Sequence, residues 1–268
     1  MIGDVVGEPG LEVLEKRLPS LIKENSANFI MVNGENAAGG FGVTAEHLNR
    51  IFAAGADLVS TGNHVWEQRE FWPVLETEKR VLRPMNYPQG NPGRGWARVD
   101  KTSPWEGPPI SWLGVNLQGR ELMNPLDCPF RSFDAFEASL KANTEENSII
   151  LVDFHAESTR EKEALAYYLD GRVSVIAGTH THVQSADERI LPKGSAYISD
   201  LGMTGVLNGV IGMDSKICLD RARNQVLYRM EVATSAAQGS QSNTAVQGIL
   251  IEINRENGKA ISVKRFSV

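Results

Sequence analysis

The chain has 268 residues, 41% of them hydrophobic and 22% charged, with a formal net charge of −6. A chain of this length and composition can bury about 70–75% of the surface it exposes when unfolded, so it reads as globular. Two cysteines, Cys128 and Cys218, are too few for a disulfide framework or a thiolate metal site and are expected as small buried side chains. The acidic balance, without any Lys/Arg cluster, argues against an extended duplex nucleic-acid surface.

The chain opens "MIGDVVGEPG". Asp4, Glu8, Glu12 and Glu15 interrupt any apolar region, so no signal peptide is read there, and no apolar run approaches the ~20 residues that cross a bilayer. A soluble, cytoplasmic protein is expected, with no membrane contact. A strand ending at Asp4 would want about three more apolar residues than Met1 and Ile2 supply. Either that strand is short or the natural reading frame begins earlier. Asp4 itself could instead cap a helix starting near Pro9.

Further on, "ANFIMVNG" (27–34) predicts a buried strand. "TAEHLNRIFAAG" (44–55) predicts a helix with Thr44 as N-cap and Gly55 past its end. "GGFG" (39–42) lacks the lysine and spacing of nucleotide-binding loops and reads as a tight turn. "ADLVSTG" (56–62) is a strand, "EQREFWPVLE" a helical segment, "SIILVDFHAE" (148–157) a strand and "REKEALAYYLDG" (160–171) a helix. "RVSVIAGTH" (172–180) and "SAYISDLG" (195–202) follow as strands. Near the end, "NQVLYRMEVAT" and "VQGILIEINRENGKAISVKRF" predict antiparallel strands, the second pair turning at Asn257-Gly258, with a mobile polar loop "SAAQGSQSNT" between them. Strands interleaved with helices indicate an α/β fold, and the absence of repeats or linkers favours one domain over 1–268.

The chemistry gathers at strand ends. Of five histidines, His64, His155, His180 and His182 fall there, together with Asp4, Glu35, Asn36 and Asn63. In open α/β sheets ligands bind outside the carboxyl ends of the strands. Singly, each residue is as well explained by a turn or a hydrogen bond; jointly they describe a ring of metal ligands. Imidazole, carboxylate and amide oxygen suit iron, manganese or zinc, and magnesium at lower affinity. Seven candidates, Asp4, Glu35, Asn36, Asn63, His155, His180 and His182, are too many for one ion with an open position and fit two. Two divalent ions against two carboxylates leave a positive cleft that would attract a phosphate ester. In "GTHTH" an extended backbone would turn His180 and His182 to one side and Thr181 away. Asp153, two residues before His155, shares its side of the strand and either orients a ligand or is plain strand-end polarity.

The motifs "GDVVG" (3–7), "GEN" (34–36), "GNHVW" (62–66), "DFHAE" (153–157) and "GTHTH" (178–182) resemble the signature of the calcineurin-like metallophosphoesterases. Val6 stands where that family has its first metal-binding histidine, and Glu35-Asn36 where it has a bridging aspartate. Those departures, with "NGENAAGGFG" and "ISDLGMTG", are similar to the bacterial YmdB-like branch. The resemblance implies an α-β-β-α sandwich of two mixed sheets flanked by helices, tending to oligomerise. It implies a dinuclear phosphodiesterase acting on 3′,5′-cyclic AMP or 2′,3′-cyclic nucleotides through a hydroxide held between two ions, iron or manganese foremost. Asp4, Glu35, Asn36 and His182 would hold the first ion and Glu35, Asn63, His155 and His180 the second. His64, beside ligand Asn63, is then the expected general acid. Trp66, Tyr87, Arg94 and Arg120 are candidates for substrate contact or plain packing. The alternatives are a broad phosphomonoesterase or nuclease on the same core, and a regulatory protein whose partner matters more than turnover.

Overall fold

The computed structural model describes residues 1–102, 109–142, 148–234 and 243–268. Two mixed sheets face each other. In the first, β1 (Asp4–Val5) runs parallel to β10 (Met203–Val206), which pairs antiparallel with β11 (Thr244–Ile253), and β11 with β12 (Ala260–Ser267). The parallel pair β2 (Met31–Asn33) and β3 (Leu58–Ser60) joins this sheet through Ile2, which bridges to Val32 and to Gly248. β1 is therefore short, yet held on both sides. The second sheet has the order β4 (Trp96–Lys101), β5 (Ile110–Gln118), β6 (Ile149–His155), β7 (Val175–Thr179), β9 (Ala196–Ile198), β8 (Arg189–Ile190). Its four inner strands are parallel, with antiparallel β4 and β8 at the edges.

Side-chain alternation sorts the core into three layers. Val32 and Val59 pack outward with Leu11, Leu14 and Leu18 of α1 (Gly7–Asn25), Leu48 and Ile51 of α2 (Ala45–Ala54), and Leu75 of α3 (Trp72–Thr77). Met31, Leu58 and Ile249 turn inward to meet Trp112, Leu151, Val175, Ala177 and Ile198 between the sheets. Val152, Phe154 and Ile176 face Phe133, Phe136 and Leu140 of α4 (Pro129–Ala142) and Leu165 and Leu169 of α5 (Thr159–Leu169). Helix, sheet, sheet, helix is the expected sandwich, and losing one inter-sheet side chain, as in Leu151→Ala, costs about 2–5 kcal/mol.

Several sequence expectations hold at atomic level. The Thr44 hydroxyl accepts from His47 N–H, and Gly55, at φ 119°, ends α2. The glycines of "GGFG" at 39, 40 and 42 all take positive φ in a tight turn. Asp4 is no helix cap: α1 starts after Val6 without a side-chain cap, and Asp4 belongs to β1. β4, β5 and α4 are elements that the sequence pattern does not single out, and α1 figures in it only as a helix starting near Pro9.

Two expectations are corrected. "NQVLYRMEVAT" forms no strand; α6 (Ser215–Asn224) runs to its first residue, and only Val232 makes a bridge, to Met213. The apolar alternation there has no neighbouring strand to bury it, and Leu227 is 86% exposed. Cys128 and Cys218 are free but half-buried rather than core. Of the stretch expected as a mobile polar loop, 235–244, residues 235–242 lie outside the described residues, and Thr244 opens β11.

Candidate metal centre

The inner face of each sheet changes character at the carboxyl ends of its parallel strands. Along β6, Ile149 and Leu151 belong to the inter-sheet layer, and the same face continues with Asp153 and His155. β2 likewise passes from Met31 to Asn33, β3 from Leu58 to Ser60, and β7 from Ala177 to Thr179. A dry layer thus ends in a buried polar floor, and the donors stand on it.

One set of donors is tightly converged. His155 Nε2 lies 2.8 Å from Glu35 Oε1, 2.9 Å from Asn63 Oδ1 and 3.0 Å from His180 Nδ1. Glu35, His155 and His180 each offer a ligand atom within 4.8 Å of one another, a group able to hold an ion. Close approach depends on Gly62, where a Cβ would sit 2.3 Å from the His155 ring. The ring is oriented from behind. Thr179 Oγ1 donates to Asp153 Oδ1 at 2.6 Å, so it must accept from His155 Nδ1, 2.9 Å away. Asp153 is in turn held by Ser60 Oγ and by Asn33 Nδ2 at 3.0 Å. Asp153 is therefore tied through Thr179 to the His155 ring, an arrangement that turns Nε2 toward the other donors.

A second set is looser. Asp4 Oδ1 lies 4.0 Å from His182 Nε2. His182 Nδ1 lies 2.8 Å from the Ile211 carbonyl, which can only accept, so Nδ1 carries a proton and Nε2 is the atom on which a neutral ring would present its lone pair. Asp4 Oδ1 and Asn36 Oδ1 are buried acceptors with no hydrogen-bond partner. Buried acceptors of this kind cost about 1–3 kcal/mol each unless a donor or a cation satisfies them. Unpartnered oxygens, an imidazole Nε2 4.0 Å from one of them and the converged first set together fit divalent ions.

The charges follow. Burial alone would raise the Glu35 carboxyl, but His155 beside it holds it down to about 2. Burial would lower His155, and Glu35 with Asp4 overrides this and lifts it to about 9. Burial takes Asp4 the other way, up to about 6 against the pull of His182 and His155, and drives His180 down to about 3. His64 is not among the converged atoms. Its backbone N–H donates to Glu35 Oε2 at 3.0 Å, and its ring, 23% exposed, sets Nδ1 3.3 Å from Glu67 Oε1.

The geometry of "GTHTH" corrects one expectation. β7 ends at Thr179, and His180 and His182 have φ of 103° and 63°, the left-handed region rather than an extended segment. Strand alternation ends with the strand; the curled backbone sends His180 toward His155 and His182 toward Asp4. Thr179, Ser60 and Asn33 are supporting residues that sequence reasoning missed, and their common signal is a polar residue in inward phase at a strand end. Tyr87 packs edge-on against Trp66 and donates to Gln118 Oε1 at 3.3 Å, which accounts for both aromatics as packing.

The YmdB-like protein family matches residues 1–266. The chain is 39% identical over 267 residues to a 2′,3′-cyclic-nucleotide 2′-phosphodiesterase of Bacillus subtilis (strain 168), covering 100% of this chain and 95% of that one. It is also similar to the structure of a hypothetical protein from Thermus thermophilus, with a TM-score of 0.86, 38% identity, and 100% and 97% of the two chains covered. A structure described as a novel phosphatase of Mycoplasma pneumoniae gives a TM-score of 0.88 at 30% identity, over 100% of this chain and 91% of that one. With the fold and near-complete length shared with a phosphodiesterase and a phosphatase, the chain belongs to the YmdB-like family and is a phosphoric ester hydrolase of the metallophosphoesterase fold.

Proposed function

We propose that the chain is a dinuclear, divalent-metal phosphodiesterase that hydrolyses cyclic nucleotides, 2′,3′-cyclic and 3′,5′-cyclic AMP among them. The observation that carries this reading is the convergence of Glu35, Asn63 and His180 on His155, with Asp4 beside His180 and His182 and with Asp4 Oδ1 and Asn36 Oδ1 unpartnered. The name of the Bacillus subtilis relative supports the substrate class. Asp4, Asn36 and His182 would hold one ion, Asn63, His155 and His180 the other, and Glu35 both. Iron, manganese or zinc suits this imidazole, carboxylate and amide set, and the family resemblance favours iron or manganese. Bound there, the ions would polarise the phosphoryl oxygens and acidify water.

The chain's own residues do the rest. Thr179 and Asp153 fix His155, and the His64 N–H fixes Glu35. In hydrolysis a water oxygen bonds to phosphorus as the bond to one ribose oxygen breaks, and that oxygen needs a proton. In this reading His64 supplies it as an imidazolium: Nδ1–H faces Glu67 Oε1 at 3.3 Å, and the Nε2 proton of the partly exposed ring is the one given up. We further propose a homo-oligomer, supported by exposed apolar side chains such as Leu122, Val183, Leu219 and Leu227. No helix among the described residues is long and apolar enough to cross a membrane.

The test is turnover by the purified protein, loaded with Mn²⁺ or Fe²⁺, on both cyclic AMP isomers and on mono- and bis-p-nitrophenyl phosphate. The diesters are expected to be hydrolysed faster. Faster hydrolysis of the monoester would replace this reading with that of a phosphomonoesterase.

A further inference from the structure

Asp200, in the loop after β9, is 3% exposed and belongs to neither donor set. Its carboxylate sits where donor-bearing segments meet. Oδ2 accepts at 3.1 Å from the N–H of Thr181, the residue between His180 and His182. Oδ1 accepts at 2.9 Å from Gly202 N–H, and the Gly202 carbonyl accepts from Asp4 N–H at 3.2 Å. The Asp200 main chain closes the far end of the histidine loop, its carbonyl accepting from Ser185 N–H and its N–H donating to Ser185 Oγ. The counter-charge comes from α5: Lys162 Nζ donates to Asp200 Oδ2 at 2.8 Å, with the two side chains 2% and 5% exposed. The Lys162 stem lies against Gly178, where a Cβ would meet Lys162 Cδ at 2.9 Å and the Ser199 carbonyl at 1.9 Å.

A buried ion pair is a poor way to gain stability, because taking both charges out of water offsets most of their attraction. What this pair holds is more telling. His180 and His182 both sit in left-handed backbone that residues with a Cβ disfavour, and the one amide between them is tied to Asp200. We propose that Lys162 and Asp200 are a positioning pair that holds the His180–His182 loop and, through Gly202, the Asp4 strand in ligand geometry. This rests on the metal-centre reading above. Asp200 accepts the loop amide, and Lys162 balances its charge and keeps it aimed.

The experiment is Mn²⁺ affinity and chelator-stripped Tm of the full chain, for the wild type, Asp200→Asn, Lys162→Met, the double variant, and Asp170→Asn as control. Asp170 is buried and accepts from Lys193 and Ser195 N–H, away from both donor sets. The two single variants are expected to bind Mn²⁺ about 10–100-fold more weakly, the usual effect of removing a ligand's supporting partner. The double variant, with no unpaired buried charge, recovers Tm but not affinity, and Asp170→Asn loses Tm but not affinity. Wild-type affinity in the folded single variants, or affinity that simply tracks Tm, would overturn the proposal. If Asp200→Asn does not fold, Lys162→Met and the double variant decide. A wild-type chain that binds no Mn²⁺ would overturn the metal reading and this inference with it.

Discussion

The two donor sets of the candidate centre solve the same electrostatic problem in opposite ways. Around His155 the groups satisfy one another: Glu35 Oε1 pairs with the imidazole at 2.8 Å, and the carboxyl is held at about 2. Around Asp4 they do not: Asp4 Oδ1 and Asn36 Oδ1 have no partner, and burial lifts Asp4 to about 6. The first set is a site that folds comfortably with a proton where an ion would go. The second carries a standing cost that only a cation or donor relieves. Sites tuned for binding rather than stability commonly keep such costs, and the contrast gives each half its own signature.

The largest expected effect is on Glu35, which pairs with His155 at 2.8 Å and which the proposal assigns to both ions. Glu35→Gln should drop bound metal to background and cut cyclic-nucleotide turnover by about 10³–10⁶-fold, the scale seen when a group acting in concert with others is removed. Metal analysis checks it, and full occupancy would break the idea that Glu35 is shared. His64→Gln should cut kcat by about 10²–10⁴-fold with metal content intact, because its ring is not among the converged atoms. Asp153→Asn should weaken metal binding by about 10–100-fold through loss of the Thr179–His155 alignment, read by equilibrium dialysis.

Smaller effects separate the two halves by sign in protein stripped with chelator. Asp4 has its folded value raised from 3.8 to about 6, so folding favours its protonated form and its ionisation destabilises the fold as pH rises through that range. Glu35 has its value lowered from 4.5 to about 2, so it contributes stability above 4.5 that is lost as pH falls through about 2. At pH 7, Asp4→Asn should therefore raise Tm and Glu35→Gln lower it, by roughly 2–4 °C per kcal/mol. Shifts of the same sign would erase the distinction. His155, raised from 6.5 to about 9, contributes stability that is fully present below 6.5 and is lost as pH rises through about 9. An ion must displace that proton, so Mn²⁺ affinity should increase with pH over this window, with proton release on binding.

Much of this was legible in the sequence, for a physical reason. Strand ends in an α/β fold are where ligands gather, so Asp4, Glu35, Asn63 and His155 could be picked out by position along the chain. Caps such as Thr44 and Gly55 are local devices and read as such. What stayed hidden depends on tertiary contact. β5 gains its place only between β4 and β6, and its residues Gly114 and Asn116 break any simple strand pattern. The left-handed backbone at His180 and His182 is accompanied by a hydrogen bond from Thr181 N–H to Asp200, across 19 residues of sequence. "NQVLYRMEVAT" misled because alternation implies a strand only when a neighbouring strand exists.

The central claim is tested most directly by the number of ions the wild-type chain binds, measured by equilibrium dialysis against Mn²⁺ with metal quantified per chain. Two equivalents are expected, one for each donor set. Saturation at one equivalent, or none, would contradict the two-ion centre.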